Sequence, residues 1–332
     1  MKLLFLSFYY QPDLSAGSFR STALIEELKK HPNIDITIIT TLPNRYASYN
    51  EEAPQFDSIE NVTVHRIALP AHKSGMVDQA KAFRHFYRGA MAISKHENYD
   101  AVYGTSSRLF TAFLTARIAK RKAIPYYLDI RDIFVDTLGD LISPKIMVLA
   151  RPVLNQIEQY TFQGAETINL VSEGFRNYFE ARAQGMRLKY FTNGIDEEFV
   201  SSAQNNLNDH EIANRIPSEP EITTILYAGN IGEGQGLHNI IPNLAANLGP
   251  SYHIKIIGDG GRKALLEEKC REILNVSLHP PVKRDQLIQE YRAADILFLH
   301  LNDCQAFEKV LPSKIFEYAA MGKPILAGVA GY

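Results

Sequence analysis

The chain has 332 residues, which is enough for about two globular domains. Its composition, 45% hydrophobic and 22% charged residues, is that of an ordinary globular protein. No uninterrupted apolar run approaches the roughly 20 residues needed to cross a bilayer, so no membrane-spanning helix is predicted. The net charge of −2 by itself excludes no class of partner.

The charge is unevenly distributed along the chain. Residues 1–190 carry 23 Lys and Arg against 19 Asp and Glu, whereas residues 191–332 carry 12 against 18. This asymmetry predicts two domains that face different partners, and the mild basic excess of the first suits an anionic membrane surface. The two cysteines, Cys270 and Cys304, lack metal-ligand spacing and indicate a reduced, cytoplasmic protein.

The first half begins with a βαβ unit and continues as alternating strands and helices. Helices are predicted at Phe19–Lys30, Met76–His96, Arg108–Arg121, Leu138–Gln159 and Glu173–Ala183. Buried strands are predicted at Lys2–Phe8, Ile34–Thr40, Val62–Ile67, Ala101–Gly104, Tyr126–Asp129, Thr167–Leu170 and Leu188–Phe191. The pattern indicates a doubly wound α/β domain, in which ligands bind at the carboxyl ends of the strands.

A polar segment at residues 199–220 is predicted to be the linker to a second α/β domain, where the strand–helix pattern restarts. Helices are predicted at Leu237–Leu248, from Lys263 to about Leu274, at Arg284–Ala293 and after Pro312. Strands are predicted at Ile225–Ala228, His253–Gly258, Val276–His279, Ile296–His300 and Ile325–Ala327. Two such sheets imply a cleft between the domains, with the strand ends of both facing it.

The segment Val310–Leu326 is the strongest candidate for a ligand site. Pro312 suits the first turn of a helix, and Ser313 can satisfy amides of that turn. The helix start then offers amides to an anion, Lys314 can meet a phosphate, and Glu317 can accept hydrogen bonds from sugar hydroxyls. The alternative is an ordinary capped helix with a solvated Lys and Glu.

Glycine-rich loops follow two strands of the second half. The loop Gly229–Gly236 opens a helix, and Gly258 to Gly261 precede Arg262 and Lys263, so backbone amides there can cradle phosphates. The loops lack the acidic residue of a dinucleotide fingerprint. No metal-ligand spacing accompanies them, so we expect Arg262, Lys309 and Lys314 to neutralise a bound diphosphate.

The first half offers weaker candidates at two strand ends. Gly17 lies in the loop after the first strand and can let backbone approach a ligand, although it can equally be a turn glycine. Arg131 and Asp132 follow the strand Tyr126–Asp129. Both positions are at the edge of the sheet where ligands bind.

Together these motifs strongly resemble the retaining family 4 glycosyltransferases of GT-B fold. The resemblance rests on Gly229-Asn-Ile-Gly232, Gly258-Asp-Gly260, Asn193-Gly-Ile-Asp196, Asp129-Ile-Arg-Asp132 and, most specifically, Pro312-Ser-Lys-Ile-Phe-Glu317. The similarity is greatest to bacterial O-antigen, capsule and exopolysaccharide enzymes, including L-fucosamine and N-acetylhexosamine transferases. It implies two Rossmann-like domains, an acceptor-binding one at 1–198 and a nucleotide-sugar-binding one at 221–332.

The resemblance also implies roles for particular residues. Glu317 would hold the ribose, Val282 and Lys283 would present backbone to the base, and Gly17 would close over the donor. The donor site would comprise these residues and Asn230, Gly232, Gln235, Gly258, Arg262, Leu311, Pro312 and Lys314. Arg131 and Asp132 would lie near the sugar or the acceptor hydroxyl, with Lys309 as the third catalytic candidate.

The sequence departs from the family pattern in three places. Lys309 stands where the family has a Glu eight residues before the ribose Glu, with Glu308 one residue earlier. Asn230 and Gln235 replace an Arg and a Lys that usually contact the diphosphate. The family normally continues beyond a strand such as Ile325–Ala327 with a last helix, so the second domain is expected to be incomplete.

The implied activity is metal-independent, retaining transfer from a nucleotide sugar, with UDP as the expected nucleotide, to a lipid-linked (undecaprenyl diphosphate) saccharide. No cofactor and no nucleic acid partner are expected. The helices at 76–96 and 138–159 carry aromatic, aliphatic and basic residues that suit the inner face of the plasma membrane, although they can equally be core helices. The alternatives are a non-catalytic nucleotide-sugar-binding subunit and a nucleotide-sugar epimerase; a nicotinamide oxidoreductase lacks its fingerprint.

Overall fold

The computed structural model describes residues 1–44, 52–70, 76–106, 109–133, 135, 144–182, 185–197, 199–201 and 222–331. Most of the predicted linker, the start of the helix predicted at 138–159, and Arg108, Ala183 and Tyr332 lie outside these ranges.

The first domain is built on an eight-stranded sheet in the order β3-β4-β2-β1-β5-β6-β7-β8. Every neighbouring pair is parallel except β3 and β4, which form an antiparallel hairpin that the sequence analysis missed. The strands are β1 (Lys2–Leu6), β2 (Asp35–Thr41), β3 (Phe56–Ile59), β4 (Val62–Ile67), β5 (Ala101–Ser106), β6 (Tyr126–Ile130), β7 (Thr167–Leu170) and β8 (Leu188–Tyr190). The central strands are apolar on both faces because helices cover both sides of the sheet.

The helices of this domain are α1 (Ala16–Lys29), α2 (Met76–Lys95), α3 (Leu109–Lys122), α4 (Pro144–Phe162) and the short α5 (Arg176–Glu180). The helix predicted at 173–183 begins at the predicted residue, but its first turn, Glu173–Phe175, is a 3₁₀ turn and α5 ends at Glu180. None of the described helices is both long enough and apolar enough to cross a membrane.

Helix α1 starts three residues earlier than predicted, which changes the place of Gly17. Ser15 caps the helix by accepting a 3.1 Å hydrogen bond from the amide of Ser18. Gly17 is therefore a buried residue in the first turn of α1 and not part of a loop that closes over a donor. The inner face of the helix includes Ile25, whereas Ala23 is exposed.

The second domain has a five-stranded parallel sheet in the order β11-β10-β9-β12-β13. Its strands are β9 (Thr223–Asn230), β10 (Tyr252–Asp259), β11 (Val276–His279), β12 (Ile296–His300) and β13 (Ile325–Gly328). Its helices are α6 (Leu237–Leu248), α7 (Lys263–Cys270), α8 (Arg284–Ala293) and α9 (Lys314–Ala320). Several of these elements have the predicted bounds because buried strands and amphipathic helices impose different spacings on the apolar residues.

Each sheet has its own apolar core, and the connection between the domains belongs to the second of them. Ile195 and the fully buried Phe199 pack into the cluster that contains Leu226, Tyr291 and Tyr318. Chain that follows β8 is thus already attached to the second sheet before β9 begins.

Candidate functional site

A cavity of about 190 Å³ lies between the two domains. The first domain contributes Leu14, Ser15, Ala16 and Phe19 from the start of α1. The second domain contributes the ends of β9 and β10, the start of α8 and the start of α9, with Asn230, Gly258, Val282, Lys314 and Glu317 among the residues. The loops near residues 230, 258, 282 and 313 therefore meet at one crevice, as two facing α/β domains require.

Glu317 lies in the first turn of α9 and lines this cavity. The hydroxyl of Tyr291 donates a 3.1 Å hydrogen bond to its Oε2. Burial raises the pKa of Glu317 above its usual value, against the opposing effects of Arg284, Lys314 and the Tyr291 hydrogen bond. A partly desolvated carboxylate, which can accept several hydrogen bonds, is well suited to bind ligand hydroxyls.

Lys314 crosses the backbone of Gly229 at the end of β9. A Cβ built on Gly229 would lie 2.5 Å from both Cε and Nζ of Lys314, so any other residue would displace the end of the lysine side chain. The φ of Gly229 is +142°, a conformation that also favours glycine. The Nζ stands 5.2 Å from the ring centre of Tyr227, which places a cation in the cavity wall.

Gly258 allows the ends of β9 and β10 to approach closely. Its φ is +159°, and a Cβ there would lie 1.8 Å from the carbonyl oxygen of Gly229. The two residues are partners in the parallel register of these strands. Backbone therefore forms this wall of the cavity, where a side chain would fill the space.

The loop after β9 is held in shape by Gln235. Its Oε1 accepts hydrogen bonds from Nδ2 of Asn230 at 2.6 Å and from the amide of Gly232 at 3.3 Å. Asn230 lines the cavity, but Gln235 and Gly232 do not. Of these three predicted donor-binding residues, two shape the loop and only Asn230 faces the cavity.

Several other predicted donor-binding residues lie beside the cavity without lining it. Arg262 forms an ion pair with Glu233, whose carboxylate neutralises the charge of the guanidinium. Lys283 precedes α8, and Leu311 and Pro312 precede α9. Ser313 does line the cavity, but its side chain forms no capping hydrogen bond, so the predicted role of Ser313 as a cap is wrong.

Arg284, which was not among the predicted site residues, lines the cavity and contacts residues of both domains. Its guanidinium forms an ion pair with Asp196 and stacks on the rings of Phe19 and Phe199, at 4.2 and 4.7 Å from their centres. Burial lowers the pKa of Arg284, although nearby Glu317 opposes this. In the sequence, Asp196 of the Asn193-Gly-Ile-Asp196 motif was the one indication of such an arginine, since an aspartate that becomes half-buried requires a cationic partner.

At the carboxyl end of the first sheet, Arg131 and Asp132 follow β6 directly. Arg131 is half-buried and Asp132 is exposed, and neither lines the cavity described above. β7 is the hydrogen-bonded neighbour of β6, with Ile130 opposite Leu170. The residues that follow β7 therefore lie beside Arg131 and Asp132.

The residues that follow β7 contact the turn that contains Lys309. The hydroxyl of Ser172 donates a 2.6 Å hydrogen bond to the carbonyl of Lys309, and Gly174 packs against the same peptide. Lys309 does not line the cavity, but this contact brings its backbone to the edge of the first sheet that carries Arg131 and Asp132. Among the described residues, no group of three or more His, Cys, Asp and Glu side chains could hold a metal ion.

Comparison with protein families identifies the two halves separately. Residues 19–194 match the model described as "Glycosyl transferase 4-like domain", and residues 208–332 match "Glycosyl transferases group 1". This chain belongs to the glycosyl transferase 4-like family. The two domains and the facing sheets are those of the GT-B fold, as predicted.

One curated relative and two solved structures illustrate this membership of the glycosyl transferase 4-like family. WcaI of Escherichia coli (strain K12), whose name assigns it to colanic acid biosynthesis as a glycosyl transferase, is 25% identical, with 97% of this chain and 82% of WcaI covered. Sucrose-phosphate synthase from Thermosynechococcus elongatus matches with a TM-score of 0.69 and 12% identity, covering 100% and 82% of the two chains. HepE from Anabaena, solved with UDP and glucose, matches with a TM-score of 0.61 and 17% identity, covering 100% and 81%. At these identities the two structures support the fold, while the family matches support glycosyl transfer.

Proposed function

We propose that this protein is a retaining hexosyltransferase that uses a UDP-sugar donor. The transferred sugar is an N-acetylated hexosamine or a related sugar, and the acceptor is a lipid-linked saccharide on undecaprenyl diphosphate. The product belongs to a bacterial surface polysaccharide such as O-antigen, lipopolysaccharide or capsule. The curated relative named for colanic acid biosynthesis supports this assignment of the polymer class.

The observation that carries the proposal is the pairing of Glu317 and Lys314 on one helix in the interdomain cavity. Glu317 would accept hydrogen bonds from the ribose hydroxyls, while Lys314 would meet the phosphates. The glycine backbones at the ends of β9 and β10 leave the space for a diphosphate. The UDP in the HepE structure supports uracil as the base.

In the reaction that we propose, the main task of the enzyme is to stabilise the charge on the leaving group, and no side chain acts as a nucleophile. As the bond from the sugar C1 to the diphosphate breaks, negative charge develops on the phosphate, where Lys314 would stabilise it without a metal ion. The acceptor hydroxyl would attack C1 from the same face, and the departing phosphate oxygen would take its proton. Closure of the domains would exclude water, which otherwise hydrolyses the donor.

The acceptor lipid requires a membrane surface, and α4 is the better of the two predicted helices for that role. The aromatic residues of α2 contribute to the core, with Phe86 buried. The first half of α4 instead exposes Ile146, Val148, Leu149 and Val153, with Lys145 and Arg151 also exposed. We propose that this surface of α4, at residues 145–153, rests on anionic lipid at the inner face of the plasma membrane.

A thermal-shift panel of UDP, GDP, ADP and CMP tests the donor assignment. We expect UDP to raise Tm by several degrees and the other nucleotides to raise it less, because only a ligand that binds the native state stabilises it. Equal shifts with all four nucleotides, or none with UDP, would contradict a UDP-sugar site.

Incubation with UDP-GlcNAc or UDP-GalNAc and a membrane extract as acceptor then separates the possible activities. A glycosyltransferase releases UDP as the sugar enters lipid. An epimerase instead interconverts the donors, and a binding subunit leaves them unchanged.

A further inference from the structure

The guanidinium of Arg131 has an unsatisfied donor at the ligand-binding edge of the first sheet. Its Nη1 is shut off from water and has no hydrogen-bond partner in the part of the chain that the structure describes. Buried polar groups are almost always hydrogen-bonded, and a guanidinium carries five donors that seek acceptors. Such an exception at the carboxyl end of β6 calls for a ligand explanation.

Asp129, a buried carboxylate whose charge acts on Arg131, already pairs with another arginine. Asp129 accepts two hydrogen bonds from Arg20, at 2.8 Å from Nε and 2.9 Å from Nη2. Asn169 donates a further 2.7 Å hydrogen bond to Oδ1 of Asp129. The network is complete without Arg131 and holds α1 against the edge of the sheet.

Burial lowers the pKa of Arg131, and the charges of Asp129 and Asp132 only partly oppose that effect. The half-buried guanidinium thus has one buried donor, Nη1, that costs stability, because no acceptor among the described residues replaces the water that this donor loses. Residues that reduce stability in this way are typical of binding sites, where a ligand completes the interaction.

We propose that Arg131 binds a phosphate group of the acceptor substrate. This inference rests on the proposed function, and it names the chemical class that the first domain recognises: an acceptor with an anionic phosphate close to the saccharide that is extended. The planar guanidinium suits phosphate oxygens, to which it can donate two parallel hydrogen bonds.

The donor diphosphate is a poorer candidate for this role. Lys314 is in the interdomain cavity where the donor would bind, whereas Arg131 is not among the residues of that cavity. Arg131 lies instead beside the end of β7, where Ser172 holds the turn of Lys309. A phosphate on Arg131 would therefore bind at the carboxyl edge of the first sheet, close to the contact between Ser172 and Lys309 that joins the two domains.

The test measures inorganic pyrophosphate binding by calorimetry in the presence of saturating UDP. We expect Arg131→Met to weaken pyrophosphate binding by at least about tenfold, and Arg131→Lys to weaken it less, because lysine keeps the charge but loses the planar fork. The exposed Arg121→Met is the matched control and should bind like the wild type. The readout is the difference between variants, so it remains interpretable even if UDP does not bind and the proposed donor site is wrong.

A second measurement separates a binding residue from a structural one. If Arg131 serves to bind a ligand, Arg131→Met should raise Tm by roughly 2–4 °C without ligand, because the unpaired buried donor is removed. A lower Tm would show that Arg131 stabilises the fold and would overturn the proposal. Unchanged pyrophosphate binding by Arg131→Met, or no binding by the wild type, would overturn it as well.

Discussion

The hydroxyl of Ser172 in the first domain donates a 2.6 Å hydrogen bond to the carbonyl oxygen of Lys309 in the second. Ser172 is fully buried, and its Oγ also accepts a 3.2 Å hydrogen bond from the amide of Gly174. Val310, next in the chain, packs against the core of the first domain. We call this contact of Ser172 and Gly174 with Lys309 and Val310 the seam. It fixes the chain three residues before Ser313, the first residue of this segment that lines the interdomain cavity.

Gly174→Ala should open the seam. A Cβ at this position would lie 2.5 Å from the carbonyl oxygen of Lys309 and 2.9 Å from its Cα, so backbone must move. We expect a loss of about 1–3 kcal/mol in the free energy of unfolding and a larger radius of gyration by small-angle X-ray scattering. The control is Gly194→Ala, whose Cβ would meet nothing within 4 Å. Equal radii for Gly174→Ala and the control would show that the seam does not hold the domains together.

Lys314→Met should weaken UDP binding and leave uridine binding nearly unchanged. Methionine keeps most of the apolar length that crosses Gly229 but removes the charge that would meet the phosphates. We expect a loss of about tenfold or more in UDP affinity by calorimetry, together with a weaker dependence on salt. The exposed Lys269→Met is the control. An equal loss for uridine and UDP would indicate that Lys314 acts through packing alone.

Glu317→Gln should abolish the thermal shift by UDP while stabilising the free protein at neutral pH. The pKa of Glu317 is raised by burial, so the charged form destabilises the fold. The native state is therefore favoured below the unfolded pKa, and this contribution is lost as pH rises through the folded pKa. The Tm of Glu317→Gln should exceed that of the wild type at pH 7, and the difference should shrink near pH 4.

The exposed Glu268→Gln is the control for that measurement. A difference between Glu317→Gln and the wild type that does not change with pH would show that Glu317 is not a buried acid whose ionisation destabilises the fold. Wild-type-like UDP binding by Glu317→Gln would remove this residue from the donor site.

Leu149→Glu should reduce binding to liposomes that contain anionic lipid. Leu149 is 82% exposed on α4, beside Lys145 and Arg151, so the substitution replaces apolar contact with repulsion from the lipid headgroups. The control Leu274→Glu alters a residue that is 98% exposed in the second domain. We expect sedimentation with liposomes to fall for Leu149→Glu alone, and wild-type binding to weaken at high salt. Equal sedimentation of the two variants would place the lipid-binding surface elsewhere.

Sequence patterns alone were sufficient to predict the two α/β domains and the helix that carries Lys314 and Glu317. The run Ile296–His300 and the amphipathic helix Arg284–Ala293 have the predicted bounds, because burial requires a local apolar spacing that differs between strands and helices. Glycines between a strand and a helix also predicted the loops that meet at the cavity, since a close backbone approach requires them.

Tertiary structure decided which of the candidate residues face one another. Gly17, predicted in a loop, lies in α1 because Ser15 caps the helix one turn earlier than predicted. Gln235, predicted to contact the donor, instead accepts a hydrogen bond from Asn230. The pairs Arg284–Asp196 and Ser172–Lys309 join residues 88 and 137 positions apart. No local periodicity encodes such pairs. Asp196 reaches Arg284 because the chain after β8 packs on the second sheet, and Ser172 reaches Lys309 only when the two domains pack together.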